Sequence, residues 1–147
     1  MARGDIIWFE EARTLDYFAG WALTDDIKVA VLDDTVTPAA GDATPALGDY
    51  TEVGAAGTYV AGGTSLGNWG TVWSEAAGTG TMDSATNPTW AQDASNDVDA
   101  YWGLIYNDTQ AGDPAIAFVD LGGPVDMTAG DLTVTWNASG IATQTAA

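Results

Sequence analysis

The carboxylates are the residues with the most chemistry to offer, and Asp and Glu together number 21 in a chain of 147. Glycoside hydrolysis needs two carboxyl groups about 5 to 9 Å apart, one with its pKa raised by apolar neighbours. Glu10, Glu75, Asp97 and Asp99 stand near aromatic residues and are the candidates for such a pair. With so many acids, some fall beside Trp or Tyr by chance, so the expectation is a protein that is not an enzyme. The lack of His and Cys removes imidazole and thiolate metal ligands, Cys nucleophiles and every His-dependent triad.

A second spacing suits cations that prefer oxygen. "DASNDVD" sets Asp93, Ser95, Asp97 and Asp99 at alternate positions, as at the start of a calcium loop. Val98 stands where an EF-hand needs Gly, and Leu104 where it needs the closing Glu. Asp93, Asp97 and Asp99 are therefore candidates for an irregular calcium site, with Asp25–Asp26 and Asp33–Asp34 as alternates. The plainer reading is a set of solvated turns, with no cofactor expected beyond a candidate calcium ion. Seven Trp residues raise a different chemistry. Trp69 and Trp73, read as sharing one face of a strand in "NWGTVWSE", either stack on sugar rings or fill a core or protomer interface, where Trp commonly packs.

Shorter motifs carry little. "RGD" at Arg3 to Asp5 is a three-residue match that chance supplies, and "NDT" and "NAS" fit glycosylation acceptors without an accompanying secretory signal. "AGGTSLG" lacks the Lys of a phosphate-binding loop. The formal net charge of −18, with Arg3, Arg13 and Lys28 as the three basic residues, repels phosphate and argues against nucleic acid and anionic membranes as partners. It favours basic or cationic partners, or serves solubility alone. The opening "MARGDIIWFEEART" places acids where a signal peptide needs an apolar run, and no segment reaches the roughly 18 apolar residues of a membrane span, so synthesis in the cytoplasm is expected.

The elements that must position these residues are mostly strands. Trp8, Ala12, Leu15, Ala19 and Ala22 fall three and four apart, which predicts a short helix near Glu10 to Phe18. "DDIKVAVLDD" reads as a strand, and residues 35 to 48 as a long Pro- and Gly-rich loop. "NWGTVWSE" and "GTGTMDS" read as a hairpin, and "PTWAQD" as a further short strand. "DAYWGLIYND" is apolar on both faces and is expected at the centre of a sheet, returning antiparallel through "AIAFVDL". "DLTVTWNAS" turns Leu132, Val134 and Trp136 inward. Short strands with Gly-rich turns predict a mainly β fold, an antiparallel β-sandwich or jelly-roll-like barrel with one short N-terminal α-helix. At 147 residues, one β-rich domain over 1–147 is expected, with residues 1–9 as an extended N-terminal arm.

The order of several segments resembles a family of small structural proteins of tailed bacteriophages. The resemblance rests on Gly57, Tyr59, Gly62, Gly63 and Leu66 in the middle of the chain, on Ile105 to Asp108 at the hairpin, and on Asp131 to Trp136 in the last strand. It runs over most of the chain from about residue 6. It implies a virion component, a head decoration or cement protein that binds the major capsid protein on the outer capsid surface, assembled in the host cytoplasm and commonly a homotrimer. No catalytic residues follow from it. On the residues themselves, "IIWF" is too apolar to lie free in water, so Arg3, Ile6, Ile7, Trp8 and Phe9 are the expected capsid interface. Trp69 and Trp73 are the expected protomer interface, or a glycan platform if the protein is instead a carbohydrate- or receptor-binding module of a head fibre or tail.

Overall fold

The segment "AYWGLIYN" is apolar at nearly every position, a pattern that cannot face water on either side. In the computed structural model, which describes residues 3–14 and 16–145, it forms the middle strand of a five-stranded antiparallel sheet. In chain order the strands of this sheet are β1 (Ile6–Trp8), β2 (Asp26–Leu32), β3 (Thr64–Asn68), β7 (Ala100–Asn107) and β8 (Ala115–Val125). They lie side by side in the order β1-β8-β7-β2-β3. Val29 meets Ile105 across the β2–β7 pair, and Leu104 meets Phe118 across the β7–β8 pair. All four are fully buried.

The remaining elements complete a mainly β protein. β4 (Trp73–Ala76) and β5 (Thr79–Met82) form the expected hairpin, and β10 (Ala142–Thr145) joins β5 to make a three-stranded sheet ordered β10-β5-β4. β6 (Thr89–Trp90) pairs with β9 (Leu132–Thr133) as a two-stranded ribbon. Every pairing is antiparallel, and no closed barrel forms among the described residues. The alternation in "LTVTW" holds as expected: Leu132, Val134 and Trp136 are buried, while Thr133 and Thr135 are exposed. No helix is long and apolar enough to cross a membrane among the described residues.

The helix moved. Among the described residues no α-helix forms over Glu10 to Phe18; Glu11–Arg13 is a single 3₁₀ turn that ends where Thr14 becomes extended. The Thr14 hydroxyl donates to the Glu11 carbonyl at 2.8 Å, a local bond that competes with helix propagation. Of the expected apolar stripe, Trp8 belongs to β1, Ala12 is buried, Ala19 and Ala22 are exposed, and Leu15 lies outside the described residues. The larger rings Tyr17, Phe18 and Trp21 pack inward instead, so the area they bury outweighs the helical period.

The short α-helix is α1 (Trp69–Val72), inside the segment expected to be a strand. Its first amides are held by the loop before β2: Trp69 donates to the Asp25 carbonyl at 2.7 Å and Gly70 to that of Leu23 at 2.9 Å. One helical turn brings positions four apart onto one side. Trp69 and Trp73 accordingly stack, with ring centroids 5.6 Å apart and planes 15° apart.

A few polar bonds fix the loops to this frame. The Tyr59 hydroxyl donates to Glu52 at 2.6 Å and accepts the Val31 amide at 3.1 Å, which ties the 57–63 turn to β2. Gly63 has φ +71°, and a Cβ there would sit 1.8 Å from the Val29 carbonyl oxygen. Only glycine lets the two backbones approach so closely.

Candidate functional site

Ile6, Ile7 and Trp8 suit a strand because all three are β-branched or aromatic. Their register on β8 is Ile6 with Val119, Ile7 with Phe118, and Trp8 with Ala117. The Phe9 amide donates to the Ile116 carbonyl at 3.2 Å, and Asp120 donates to the Asp5 carbonyl at 3.2 Å. Antiparallel bonding alternates along a strand, so Asp5, Ile7 and Phe9 turn their backbone groups to β8. The N–H and C=O of Ile6 and Trp8 therefore point to the outer edge. β1 is the terminal strand of its sheet, and β8 is its one strand partner among the described residues.

A cleft of about 840 Å³ opens beside this edge. One wall is Arg3 to Ile6 and Trp8 with Val119 to Leu121 of β8; the other is the C-terminal segment Leu132 to Asn137 with Ile141 to Thr143. β10, which supplies Ala142 and Thr143, is itself the terminal strand of the three-stranded sheet. The edges of two sheets thus border one opening. Gly122 has φ +73°, and the Arg3 side chain runs within 2.9 Å of where a Cβ would stand. The Asp120 carboxylate accepts the Gly122 amide at 2.7 Å. Trp136 in the far wall is 9% exposed, and its indole N–H has no acceptor among the described residues. By contrast the indole N–H of Trp102 donates to Asp34 at 3.0 Å.

The structure brings together three of the five residues expected at an interface. Arg3, Ile6 and Trp8 line the cleft. Ile7 points to the opposite face of β1, as strand alternation requires. Phe9 needs a correction: it is fully buried, 5.1 Å from the Phe118 ring and 6.2 Å from that of Tyr50, and so belongs to the core rather than to a surface. The free arm over residues 1–9 likewise becomes, from Ile6 onward, a paired strand; Met1 and Ala2 lie outside the described residues.

Trp69 and Trp73 do not form an open platform. Trp69 is buried and Trp73 half-buried, and they join Trp8, Phe18 and Trp21 in one continuous aromatic cluster. Trp8 meets Trp73 edge-on at 6.1 Å, so the cluster buttresses the cleft wall from behind. Tyr17 extends it, donating to the Ala115 carbonyl, and burial followed by the Glu11 charge pushes its hydroxyl pKa up to about 12.

The carboxylates are engaged as loop staples. Asp97 accepts amides from Gly54, Val98 and Asp99, and the Gly54 bond leads in holding its pKa below the usual range. Asp93 accepts the Ser95 amide at 2.8 Å. Asp93, Asp97 and Asp99 do not converge, and no group of three or more Asp or Glu arranged to hold a metal ion occurs among the described residues. Asp33 and Asp34 serve Thr35 and Thr37. Glu10, Glu75 and Asp99 are exposed.

Asp25 is the one buried acid of the described residues, and it is paired through uncharged donors. It accepts Asn107 Nδ2 at 3.0 Å, Gln110 Nε2 at 2.6 Å and the Ala22 amide at 3.1 Å. The Asn107 and Gln110 bonds, in that order, lower its pKa. This knot closes the β7–β8 turn onto the start of β2.

Sequence reasoning missed the C-terminal wall of the cleft and the Tyr17–Phe18–Trp21 part of the cluster. The second had a signal, since three aromatics within five residues are too apolar for a solvated turn. The first had none, because which loop covers a sheet edge depends on long-range pairing. The fold and cleft together define a mainly β, antiparallel protein with a bordered sheet edge. Comparison with protein-family models, with curated proteins and with solved structures returned no match.

Proposed function

We propose that this protein is a non-enzymatic virion component, a decoration or cement protein that binds the major capsid protein on the outer surface of a phage head. The observation that carries the reading is the apolar edge strand Ile6–Trp8 beside an open cleft, held by a sheet buried on both faces. An exposed apolar edge is a surface that natural proteins cover or use. The resemblance of the middle, hairpin and final segments to tailed-phage structural proteins supports the same reading. So does the charge of −18, which suits a partner with basic groups and disfavours nucleic acid and anionic lipid.

In this reading the two larger sheets are the layers of a β-sandwich, the protein assembles as a homotrimer, and it acts by bridging capsid subunits. Three sites in one trimer raise avidity by about 10² to 10⁴ without new kinds of contact. Calcium has no part in it. The alternative, a carbohydrate- or receptor-binding module, is weakened by the burial of Trp69 and its stacking on Trp73.

Cosedimentation of the purified chain with undecorated phage capsids tests the proposal. Because Trp8 also supports Trp73, Trp8→Ala is paired with Arg3→Glu, whose side chain is exposed at the cleft mouth. Wild type should bind stoichiometrically and saturably, Trp8→Ala more weakly, and Arg3→Glu at least as tightly because it sets an acid against a basic partner, while the circular dichroism of both variants stays β-rich. Absence of wild-type binding would overturn the decoration reading.

A further inference from the structure

The outer edge of β1 offers a short row of main-chain groups: the N–H and C=O of Ile6 and of Trp8. A strand end of this kind is normally protected by proline, lysine, a bulge or a covering element. β1 contains neither proline nor lysine, its register on β8 is regular over Ile6 to Trp8, and what lies beside it is a cleft.

We propose that the cleft receives an extended, lysine- or arginine-bearing segment of the partner chain, which adds to β1 as a new outer strand. The proposal deepens the capsid-binding reading and rests on it for the partner's identity. The incoming strand accepts and donates at Ile6 and Trp8. Alternate side chains of the guest then fall beside Ile6 and Trp8 on the cleft face or beside Ile7 on the other, as strand addition requires.

Net charge selects the guest. A second copy of this chain at this edge would bring one body of formal charge −18 against another. A basic segment gains from the same field. Its charge also speeds encounter, so binding should weaken with added salt.

The test uses the full chain and a synthetic nine-residue peptide of alternating Lys, Thr and Val, with a second peptide carrying Glu in place of Lys. Main-chain bonds supply most of the affinity in strand addition, so an alternating basic sequence is a sufficient probe. Amide hydrogen exchange should slow at Ile6 and Trp8 with the basic peptide and not with the acidic one. Ile6→Pro removes an outward N–H and no bond to β8, so the sheet should persist while the basic peptide binds about tenfold more weakly, the worth of one good hydrogen bond. Ile6→Val, which keeps the N–H, should bind as wild type.

No protection at Ile6 and Trp8 with the basic peptide, equal binding of the acidic peptide, or protection that appears with protein concentration alone alongside a dimer in sedimentation would each overturn the proposal. The two readings separate cleanly. Peptide protection without capsid cosedimentation keeps the cleft and removes the capsid, and cosedimentation without protection does the reverse.

Discussion

The β7–β8 hairpin and the N-terminal edge share β8 but are built to different ends. Around β7 the chain satisfies its backbone on both sides and buries both faces: Leu104, Ile105, Tyr106, Ile116 and Phe118 are all fully buried. At β1, three residues are paired on one side, partly buried, and bordered by a cleft. The difference teaches where to look for a binding surface. A frame with every bond made is a support, and the place where bonds are left to be made is the site.

The sharpest way to break this contrast is to injure the frame. Phe118→Ala should cost about 3 to 5 kcal/mol in urea unfolding, since the site lies between Phe9, Trp102 and the paired Leu104. Gly63→Ala should be comparably severe, because the new methyl must displace the β2 backbone at Val29. Gly4→Ala, at the cleft mouth, also has positive φ but open space around the added carbon, and should cost only about 1 to 2 kcal/mol. Equal losses at Gly63 and Gly4 would contradict the division between frame and edge.

Smaller effects sharpen it. Tyr59→Phe leaves the buried Val31 amide without its acceptor and should cost about 1 to 3 kcal/mol, read from the urea midpoint. The Asp25 knot gives a pH signature. Its folded pKa is lowered, so its contribution is complete above the unfolded carboxylate value of about 4 and disappears as pH falls through the folded value. Thermal melts from pH 5 to pH 2 should therefore decline less steeply for Asp25→Asn than for wild type. Asp97 and Asp126, also lowered, add to the wild-type slope in both proteins. Smallest of all, a chelator should leave the melting temperature unchanged; a drop of several degrees would restore calcium to the account.

Most of the frame was legible because its signals are local. Two-faced apolarity placed β7 at the sheet centre, and "NDTQAGDP" announced the turn that returns as β8. Alternation placed Leu132, Val134 and Trp136 inward even though β9 itself is only two residues long. The two helical errors share one cause. Trp8 to Phe18 carried a helical period and Trp69 to Trp73 a strand period, yet both segments serve one aromatic cluster, and the geometry that stacks Phe18, Trp21, Trp69 and Trp73 prevailed over local pattern. Of the site, the apolar run Ile6 to Phe9 was visible, but its division was not. Pairing with β8 sent Phe9 to the core and left Ile6 and Trp8 at the cleft, and that register is a property of two segments more than 100 residues apart.

Hydrogen exchange of the protein free and bound to undecorated capsids tests the central claim most directly. Protection is expected to appear on binding at the amides of Ile6 and Trp8, with Leu104, Ile105 and Phe118 equally slow in both states. Protection appearing instead at β3 or the β4–β5 hairpin, with Ile6 and Trp8 unchanged, would place the contact on another face and contradict the account.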